Sequence, residues 1–394
     1  MAGWCSDVAN VIVAGARTPI GRLGGGLARV TAAELGSVAI AEALRRSGLE
    51  GPEVDTVIMG QVVQAGAGPN PARLAAVGAG IPMSVPGMTL NKLCLSGLSA
   101  IVLADRLIAS GLHRTVVAGG MESMTRAPYV AETEHDSGRT PAQSHRDALE
   151  SDALVCAFDQ VHVGAATDRY QRALDISRED QDEYAARSHA RATEAIEKGR
   201  FDVEIAVVPG TDLTADEGVR ASATAEKLSR LRPAFAEDGT ITAGSASQIS
   251  DGACAVVVMS RADAERRGLE WIAEIGASGS AAGPDPSLLS QPAAAVRDAL
   301  ARDGRLSLDD VELFEVNEAF AGVAIQSARE LALEPDQLNV NGGAIALGHP
   351  VGMSGARLAL TLAHELRRRG GGAGAAALCG GGGQGEALVL RVPS

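Results

Sequence analysis

Two of the five cysteines stand where a reactive thiol could do chemistry, and Cys94 is the first. It ends the segment LNKLC and precedes an alanine- and leucine-rich stretch that predicts a helix through Ser99 to about Ser110. The first N–H groups of a helix are unpaired and carry partial positive charge, which favours a thiolate over a thiol. The position therefore predicts a nucleophile, while a small buried core cysteine fits the segment equally well.

Cys379 is the second candidate thiol. It follows the strand-like segment AAAL and precedes the run GGGGQG. Glycines at this place would let a substrate approach main-chain N–H groups closely. For the glycines alone, a tight turn without function is the better interpretation.

A histidine and an asparagine could assist such a thiol. His349 stands before a proline and among glycines, which predicts a loop rather than a helix face. Asn317 and Glu318 follow the strand-like segment VELFEV, and polar side chains at the carboxyl end of a strand suit a site in an α/β fold. The competing interpretations are a surface histidine and a helix cap.

Composition limits the classes of function. Lys and Arg number 35 against 49 Asp and Glu, and the resulting net charge of -14 argues against nucleic-acid and anionic-membrane partners. The five cysteines form neither a CxxC pair nor a dense disulfide framework, which favours a reducing, cytoplasmic compartment. We expect no export signal, no spanning segment and no metal site, since none of these patterns occurs.

Elements of two kinds must position these residues. Short apolar runs such as VIVAGA, TVVAGG and CAVVVM alternate with helix-like stretches, which predicts an α/β fold with a sheet buried on both faces. From about Arg126 to Ser247 the chain is more charged, with helical periodicity from Arg178 to Lys198. We therefore predict a first half (1–124 plus 249–271), an inserted region (125–248) and a second half (272–394).

A weak internal repeat links the two halves. Cys94-Leu-Ser-Gly is followed by a helix-like segment, a glycine and the strand TVVAGG, and the block from Gly348 to Gly355 is followed by the same succession, ending in AAALCGG. A duplicated unit would bring the loops of the two halves together, and shared sites form at such junctions.

Six blocks of the sequence resemble the signature blocks of the thiolase family, in the family's order and over nearly the whole chain. They are NKLCLSGLSA (91–100), AGGMESM (118–124), LRPAF (231–235), NEAF (317–320), NGGAIALGHPVGMSGAR (341–357) and CGGGGQG (379–385). The blocks are most similar to those of bacterial acetyl-CoA acetyltransferases. The resemblance implies a duplicated five-layer α/β/α/β/α fold with an inserted loop domain that covers coenzyme A.

The resemblance also implies a reaction, the reversible Claisen condensation of two acetyl-CoA molecules, with coenzyme A thioesters as substrates and no tightly bound cofactor. Cys94 matches the nucleophile that carries the acyl group, and Cys379 matches the acid/base that removes the α-proton of the second thioester. His349 matches the residue that activates the nucleophile. Asn317 matches the residue that holds a water in one oxyanion hole, and the N–H groups of Cys94 and Gly381 match the other hole.

Further matching positions are implied to line the coenzyme A and acyl pocket. They are Leu154, His162, Val163, Arg220, Ser247, Phe235 and Phe320. Because the chain is acidic, contacts to the coenzyme's phosphates must be local, and the cluster of Arg220, Lys227, Arg230 and Arg232 supplies candidates. Each of these taken alone could be a solvated surface charge.

One departure from the family pattern bears on the substrate. Members specific for acetoacetyl-CoA typically have His-Met-Gly where this chain has His162-Val163-Gly164, and the smaller valine leaves room for a longer acyl group. A 3-ketoacyl-CoA thiolase of broader chain length is therefore the alternative, and a non-catalytic acyl-CoA-binding relative is a more distant one. Decarboxylating β-ketoacyl synthases share the duplicated fold but replace the second cysteine, so Cys379 argues against them. The family further implies a homo-oligomer, either a dimer or a tetramer of two dimers.

Overall fold

A computed structural model describes residues 9–131 and 145–393 of the chain, and Cys5 lies outside the described residues. Up to residue 131 the chain alternates between strands and helices. Its strands are β1 (Asn10–Arg17), β2 (Gly21–Arg22), β3 (Thr56–Gly60), β4 (Gly87–Leu90), β5 (Thr115–Ser123) and β6 (Tyr129–Ala131). Its helices are α1 (Ala32–Ser47), α2 (Pro71–Gly78) and α3 (Ser96–Ala109).

The middle of the chain builds short strands and one long helix. The strands are β7 (His145–Asp147), β8 (Val155–Cys156) and β9 (Val161–His162), and the helices are α4 (Val163–Gln171), α5 (Arg178–Glu197) and α6 (Ala225–Leu228). The long helix begins at a capping box, in which the Ser177 hydroxyl accepts the N–H of Asp180 and the Asp180 carboxylate accepts the N–H of Ser177. The helix predicted from Arg178 to Lys198 is thus confirmed.

The last part of the chain returns to long strands. They are β10 (Ser250–Ser260), β11 (Ala273–Ala282), β12 (Leu313–Val316), β13 (Gly372–Gly380) and β14 (Gln384–Val392). The helices between them are α7 (Arg261–Arg266), α8 (Gln291–Asp303), α9 (Ala321–Leu331), α10 (Ala344–Leu347) and α11 (Ser354–Arg369).

The same strand pattern occurs twice in one continuous sheet. In the first half the order is β1-β10-β5-β3-β4, with antiparallel pairs up to β5 and parallel pairs beyond it. In the second half β11-β14-β13-β12 repeats the order and the directions, and the last place is taken by a parallel bridge from Phe314 to Leu338. Pairing of β1 with β11 joins the halves. The predicted duplication is confirmed.

Helices lie in three layers around the two halves of the sheet. Helices α1 and α2 pack on the outer face of the first half, α8 and α9 belong to the outer layer of the second, and α3 and α11 lie between the halves. The resulting succession is α/β/α/β/α, as predicted. The division of the chain at residues 124, 249 and 272 stays a prediction.

Alternation along the strands assigns each side chain to a layer. Val11 and Val13 of β1 belong to the outer core with α1, whereas Ile12 faces the central core with α3 and α11. In β5, Val117 is outer while Val116 is central. Because both faces are covered, these strands are buried at every position and mostly apolar. The aliphatic composition follows from this double burial.

Two glycines let the central helices approach at their N-terminal ends. A Cβ atom on Gly97 of α3 would lie 2.9 Å from the backbone nitrogen of Ala356, and one on Gly355 of α11 would lie 2.4 Å from that of Leu98. Only glycine permits such an approach of two backbones. It brings together the turns that precede the two helices, and these turns carry Cys94 and His349.

Buried ion pairs attach the middle region to the first half. Arg17 of β1 is fully buried and donates to Glu204 at 2.8 Å and to Asp216 at 2.7 Å. The Arg17 N–H donates to the Glu204 carbonyl, and the Ala206 N–H donates to the Arg17 carbonyl. Removal of one partner would leave a buried charge uncompensated, so this attachment is strongly specified.

Candidate active site

Cys94 lies in a tight turn between β4 and α3, which we call the nucleophile turn (residues 92–96). The Lys92 N–H donates to the Ser96 hydroxyl at 2.8 Å, and this hydroxyl donates to the Leu93 carbonyl at 2.6 Å. Leu93 has a φ of 53°, a left-handed conformation that is strained for a residue with a side chain. The helix starts two residues after Cys94, so the predicted position before a helix is confirmed.

The Cys94 thiol is half-buried and protonated at neutral pH. Burial raises the pKa of Cys94 to about 11, and the Glu122 carboxylate contributes in the same direction. Hydrogen bonds to the sulfur from the N–H groups of Gly381 and of Cys94 itself act against this rise in pKa. The backbone donors thus favour the thiolate, as expected, but the loss of solvation outweighs them and the net pKa is raised.

Cys379 lies next to Cys94, although 285 positions separate the two in the printed sequence. It stands near the end of β13, opposite Gly385 of β14, and is completely buried. Burial raises the pKa of Cys379 above its ordinary value, and the neighbouring Cys94 raises it further. The two halves of the fold thus bring both candidate thiols into electrostatic contact.

His349 is buried and neutral, with one ring nitrogen fixed. Its Nδ1 atom lies 2.6 Å from the Ser354 hydroxyl, which donates its proton to the Pro350 carbonyl at 2.9 Å. The hydroxyl has one proton, so it accepts from Nδ1–H, and we assign the tautomer with the lone pair on Nε2. Burial and the charge of Arg357 lower the pKa of His349 to about 3. The imidazole is therefore available as a proton acceptor.

Asn317 lies beside His349 and is the fourth polar residue of the site, with Cys94 and Cys379. It follows β12 directly, and its N–H donates to the Ala377 carbonyl of β13 at 3.0 Å. Its Nδ2 atom lies 3.3 Å from Nε2 of His349, and its buried Oδ1 atom has no hydrogen-bond partner. A buried amide oxygen without a partner is costly, which marks this as a place for a water or a substrate group.

A cavity of about 470 Å³ opens at this group. The predicted site residues that line it are Cys94, Leu154, His162, Val163, Arg220, Phe235, Ser247, Phe320, His349 and Gly381. Asn317 and Cys379 do not line it; they lie behind His349 and Cys94 respectively. The structure therefore brings together the residues predicted from five separate blocks of the sequence.

Aromatic rings form one wall of the cavity. The His162 and Phe235 rings stack with centroids 4.8 Å apart, and Phe235 meets Phe320 edge to face at 5.9 Å. A Cβ atom on Gly164 would lie 2.5 Å from the Phe235 ring, so glycine is required for this packing. Burial lowers the pKa of His162, which favours the neutral ring in this apolar wall.

Only one member of the predicted basic cluster lines the cavity. Arg220 does so, and its backbone N–H donates to Nδ1 of His189 at 3.1 Å. Lys227 donates to the Ser222 carbonyl at 3.0 Å, and Arg230, which follows α6, pairs with Glu226 of that helix. The structure thus distinguishes Arg220 from its neighbours, in agreement with the family resemblance, which favours Arg220 alone in this cluster.

Sequence reasoning missed several residues that build the site. Ser354 was overlooked, although it lies in the same glycine-rich block as His349. Gln248 and Leu288 line the cavity, and the Gln248 carbonyl accepts the His349 N–H at 3.1 Å. Glu122 of the block AGGMESM is fully buried and accepts N–H groups of Val62, Val63 and Gly352. The signal that could have identified Glu122 is an acidic residue within an otherwise apolar strand-like segment.

Comparison with known proteins identifies the class. The family model "Thiolase, N-terminal domain" matches residues 10–262, and "Thiolase, C-terminal domain" matches residues 269–392. The chain belongs to the thiolase family. Within the described residues there is no group of side chains that could hold a metal ion, and no helix there has the length and apolar character needed to cross a bilayer.

Curated relatives cover nearly the whole chain. A "Probable acetyl-CoA acetyltransferase" of Mycolicibacterium smegmatis is 51% identical over 388 residues, which are 97% of this chain and 100% of the relative. A protein of the same name from Mycobacterium tuberculosis is 52% identical over 389 residues, 97% of this chain and 99% of the relative. A "Probable acetyl-CoA acyltransferase" of Staphylococcus aureus is 44% identical over 364 residues, 90% of this chain and 92% of the relative. The protein is thus a thiolase acyltransferase.

Proposed function

We propose that the protein is an acetyl-CoA C-acetyltransferase, which condenses two acetyl-CoA molecules to acetoacetyl-CoA and coenzyme A and also catalyses the reverse thiolysis. The observation that carries the proposal is the convergence of Cys94, His349 and the Gly381 N–H on one cavity, with the Cys379 thiol directly behind. Two thiols beside a neutral imidazole suit a reaction that needs one nucleophile and one carbon acid/base.

The first half-reaction forms an acyl-enzyme. The Cys94 sulfur attacks the thioester carbonyl, its proton passes to Nε2 of His349, and coenzyme A leaves with that proton. Because the pKa of Cys94 lies near 11 and that of His349 near 3, the neutral pair is favoured before substrate arrives. Proton transfer is therefore coupled to attack on the carbonyl. A thioester is exchanged for a thioester, which keeps the step reversible.

The second half-reaction forms the carbon–carbon bond. Cys379 removes an α-proton from the second acetyl-CoA, the enolate carbon attacks the acyl carbonyl on Cys94, and the Cys94–carbon bond breaks to release acetoacetyl-CoA. For this step the Cys379 thiol first gives its own proton to neutral Nε2 of His349. The α-proton then restores the Cys379 thiol, and His349 returns its proton to the Cys94 thiolate, which restores both thiols. The high pKa of buried Cys379 supports this role, since a weak acid is a strong base once it is deprotonated.

Two groups of donors suit the developing negative charges. The N–H groups of Cys94 and Gly381 already point at the Cys94 sulfur, so they would lie close to the oxyanion on the tetrahedral carbon bonded to that sulfur. His349 and a water held by Oδ1 of Asn317 would stabilise the enolate oxygen. Loss of one such donor costs about 3 kcal/mol in the barrier, or roughly a hundredfold in rate.

The decisive experiment separates the two half-reactions. Purified protein should consume acetoacetyl-CoA in a manner that depends on coenzyme A, and mass spectrometry should find an acetyl group on the peptide that contains Cys94. Cys94→Ala should abolish this labelling, whereas Cys379→Ser should keep it and slow condensation. Acetylation of another residue in the Cys94→Ala variant would refute the assignment. Binding of coenzyme A without turnover would favour the non-catalytic alternative.

A second cavity favours the broader alternative, a 3-ketoacyl-CoA thiolase. It measures about 200 Å³ and lies against the first, with which it shares Leu93, Ala153, Val163, Leu288 and Gly381. The dividing side chains are aliphatic. An acyl chain longer than acetyl, bound to Cys94, could extend past Val163 into this space. Thiolysis rates across a series of chain lengths decide between the two functions.

We infer a cytoplasmic homo-oligomer, a dimer or a tetramer of two dimers, built from units with the boundaries 1–124 plus 249–271, 125–248 and 272–394. Strand β4 supports self-association, because it forms an edge of the sheet and carries the exposed Met88, with Leu74 of α2 exposed nearby. An exposed apolar sheet edge invites pairing with another chain. Light scattering at several concentrations tests the oligomeric state.

A further inference from the structure

One buried carboxylate connects the two halves behind the candidate thiols. Glu386 of β14 is 5% exposed. Its Oε1 atom accepts from Nζ of Lys92 at 3.0 Å, and its Oε2 atom accepts from the Ser99 hydroxyl. Both donors belong to the first half of the fold, whereas Glu386 belongs to the second. The carboxylate thus forms a polar link between the two halves.

The two donors stand on either side of Cys94. Lys92 begins the nucleophile turn two residues before it, and Ser99 lies in the first turn of α3, five residues after it. Glu386 therefore holds both ends of the segment that carries the sulfur. Because Leu93 is strained, this segment needs external contacts to keep its shape.

The backbone of Glu386 is fixed relative to Cys379. In the antiparallel pair of β13 and β14, Cys379 lies opposite Gly385, and Leu378 lies opposite Glu386. One step of the ladder thus separates Glu386 from the pair that contains the second thiol. The backbone hydrogen bonds of the ladder make this a rigid connection.

Direct packing at the glycines completes the arrangement. A Cβ atom on Gly380 would lie 2.8 Å from Cγ of Leu95, and one on Gly381 would lie 2.9 Å from Cδ1 of Leu93. The nucleophile turn therefore rests on the backbone that follows Cys379. Van der Waals contact limits how closely the halves approach, while the Glu386 link prevents them from separating.

We propose that Glu386 is a positioning residue that sets the separation of Cys94 and Cys379 through its bonds to Lys92 and Ser99. The proposal rests on the proposed function. Acylation requires Cys94 and His349. Condensation in addition requires that the α-carbon of the second acetyl-CoA lie within reach of both the Cys379 sulfur and the acyl group on Cys94. A small displacement of the nucleophile turn relative to β13 should thus slow condensation more than acylation, because bond formation demands near-contact geometry.

The test compares Glu386→Gln with the parent protein in both half-reactions. Acetylation of Cys94 by acetyl-CoA is followed by mass spectrometry, and condensation is followed by the formation of acetoacetyl-CoA from the acetylated enzyme after addition of acetyl-CoA. We expect the acetylation rate to stay within about threefold and condensation to fall at least about tenfold. Lys92→Met should also lower the rate of condensation more than the rate of acetylation. Lys92→Arg should restore much of the condensation rate.

A matched control lies on the same strand. Arg391 of β14 pairs with Asp303 of α8, remote from both thiols, so Asp303→Asn removes an ion pair of β14 without touching the nucleophile turn. We expect the ratio of the two rates to stay at the parent value. Melting temperatures of all variants report the stability loss that accompanies each change.

The outcomes distinguish failure of the proposed function from failure of the positioning role of Glu386. If the parent protein is not acetylated on Cys94, the proposed function fails. If the parent completes both half-reactions and Glu386→Gln slows them equally, or slows neither, the positioning role is overturned while the function stands. If Glu386→Gln does not fold, the ratio in Lys92→Met decides, since that change leaves the buried carboxylate in place and the ion pair is partly exposed.

Discussion

His349 and Ser354 form a pair in which the hydroxyl fixes the position of the imidazole proton. The Nδ1 atom lies 2.6 Å from Oγ of Ser354, and the Pro350 carbonyl receives the hydroxyl proton. Both side chains are buried, so water does not compete for these bonds. The lone pair of Nε2 consequently faces Asn317 and the cavity that contains Cys94.

Ser354→Ala should slow both half-reactions by about ten- to a hundredfold, because the ring loses the acceptor that selects its reactive tautomer and orientation. The rates of Cys94 acetylation and of acetoacetyl-CoA thiolysis measure the effect. Ser327→Ala is the control, since Ser327 is a buried serine of α9 whose hydroxyl donates to the Val323 carbonyl. Full activity of Ser354→Ala would show that the tautomer is selected by other contacts.

The pH dependence of Cys94 reactivity follows from its raised pKa. Since the pKa is about 11, the thiolate fraction should rise roughly tenfold for each pH unit up to at least pH 10. Alkylation of the free protein by iodoacetamide, mapped to the Cys94 peptide, should therefore increase steadily from pH 7 to about pH 10. His349 stays neutral over this range because its pKa is lowered to about 3. A plateau below pH 8 would contradict the raised pKa and indicate a thiolate in the resting protein.

The fold and the positions of the two thiols could be predicted from the sequence. The order of the apolar runs and the repeated segments predict the duplicated layers, because a buried sheet requires continuous apolar strands. The blocks around Cys94, His349 and Cys379 predict the site residues, because glycine, proline and polar residues at element ends are local signals. The duplication also predicts that these blocks meet in space, because it brings the loops of the two halves together.

Other features depend on contacts that a sequence does not specify. The pKa of Cys94 is set by the balance between burial and the backbone donors, and the expected effect of the backbone donors is smaller than that of burial. Only the family resemblance separates Arg220 from Arg230 in the sequence, whereas the structure shows that Arg230 pairs with Glu226 and that Arg220 lines the cavity. Lys92 and Glu386 lie nearly 300 positions apart, so their pairing is visible only when the halves are assembled.

Val163→Met should restrict the acyl chain length. Val163 lies in the wall between the two cavities, and methionine would fill space on both sides. We expect thiolysis of a C6 3-ketoacyl-CoA to fall about tenfold more than that of acetoacetyl-CoA, in line with the cost of a few misplaced methylenes. Steady-state kcat/KM for both substrates measures the difference. Equal effects on the two substrates would refute a role of Val163 in chain length.

Ala166→Leu tests whether the second cavity accepts the acyl chain. Ala166 is a buried residue of α4 that lines the second cavity and not the first, so the added carbons should fill the second cavity and leave the Cys94 pocket unchanged. Thiolysis of C6 and C8 substrates should therefore fall about tenfold or more, while acetoacetyl-CoA is cleaved at the parent rate. Ala165→Leu is the matched control, because the neighbouring alanine of the same helix lines neither cavity. If both variants treat all chain lengths alike, the second cavity holds no part of the substrate, and the proposed function narrows to acetoacetyl-CoA.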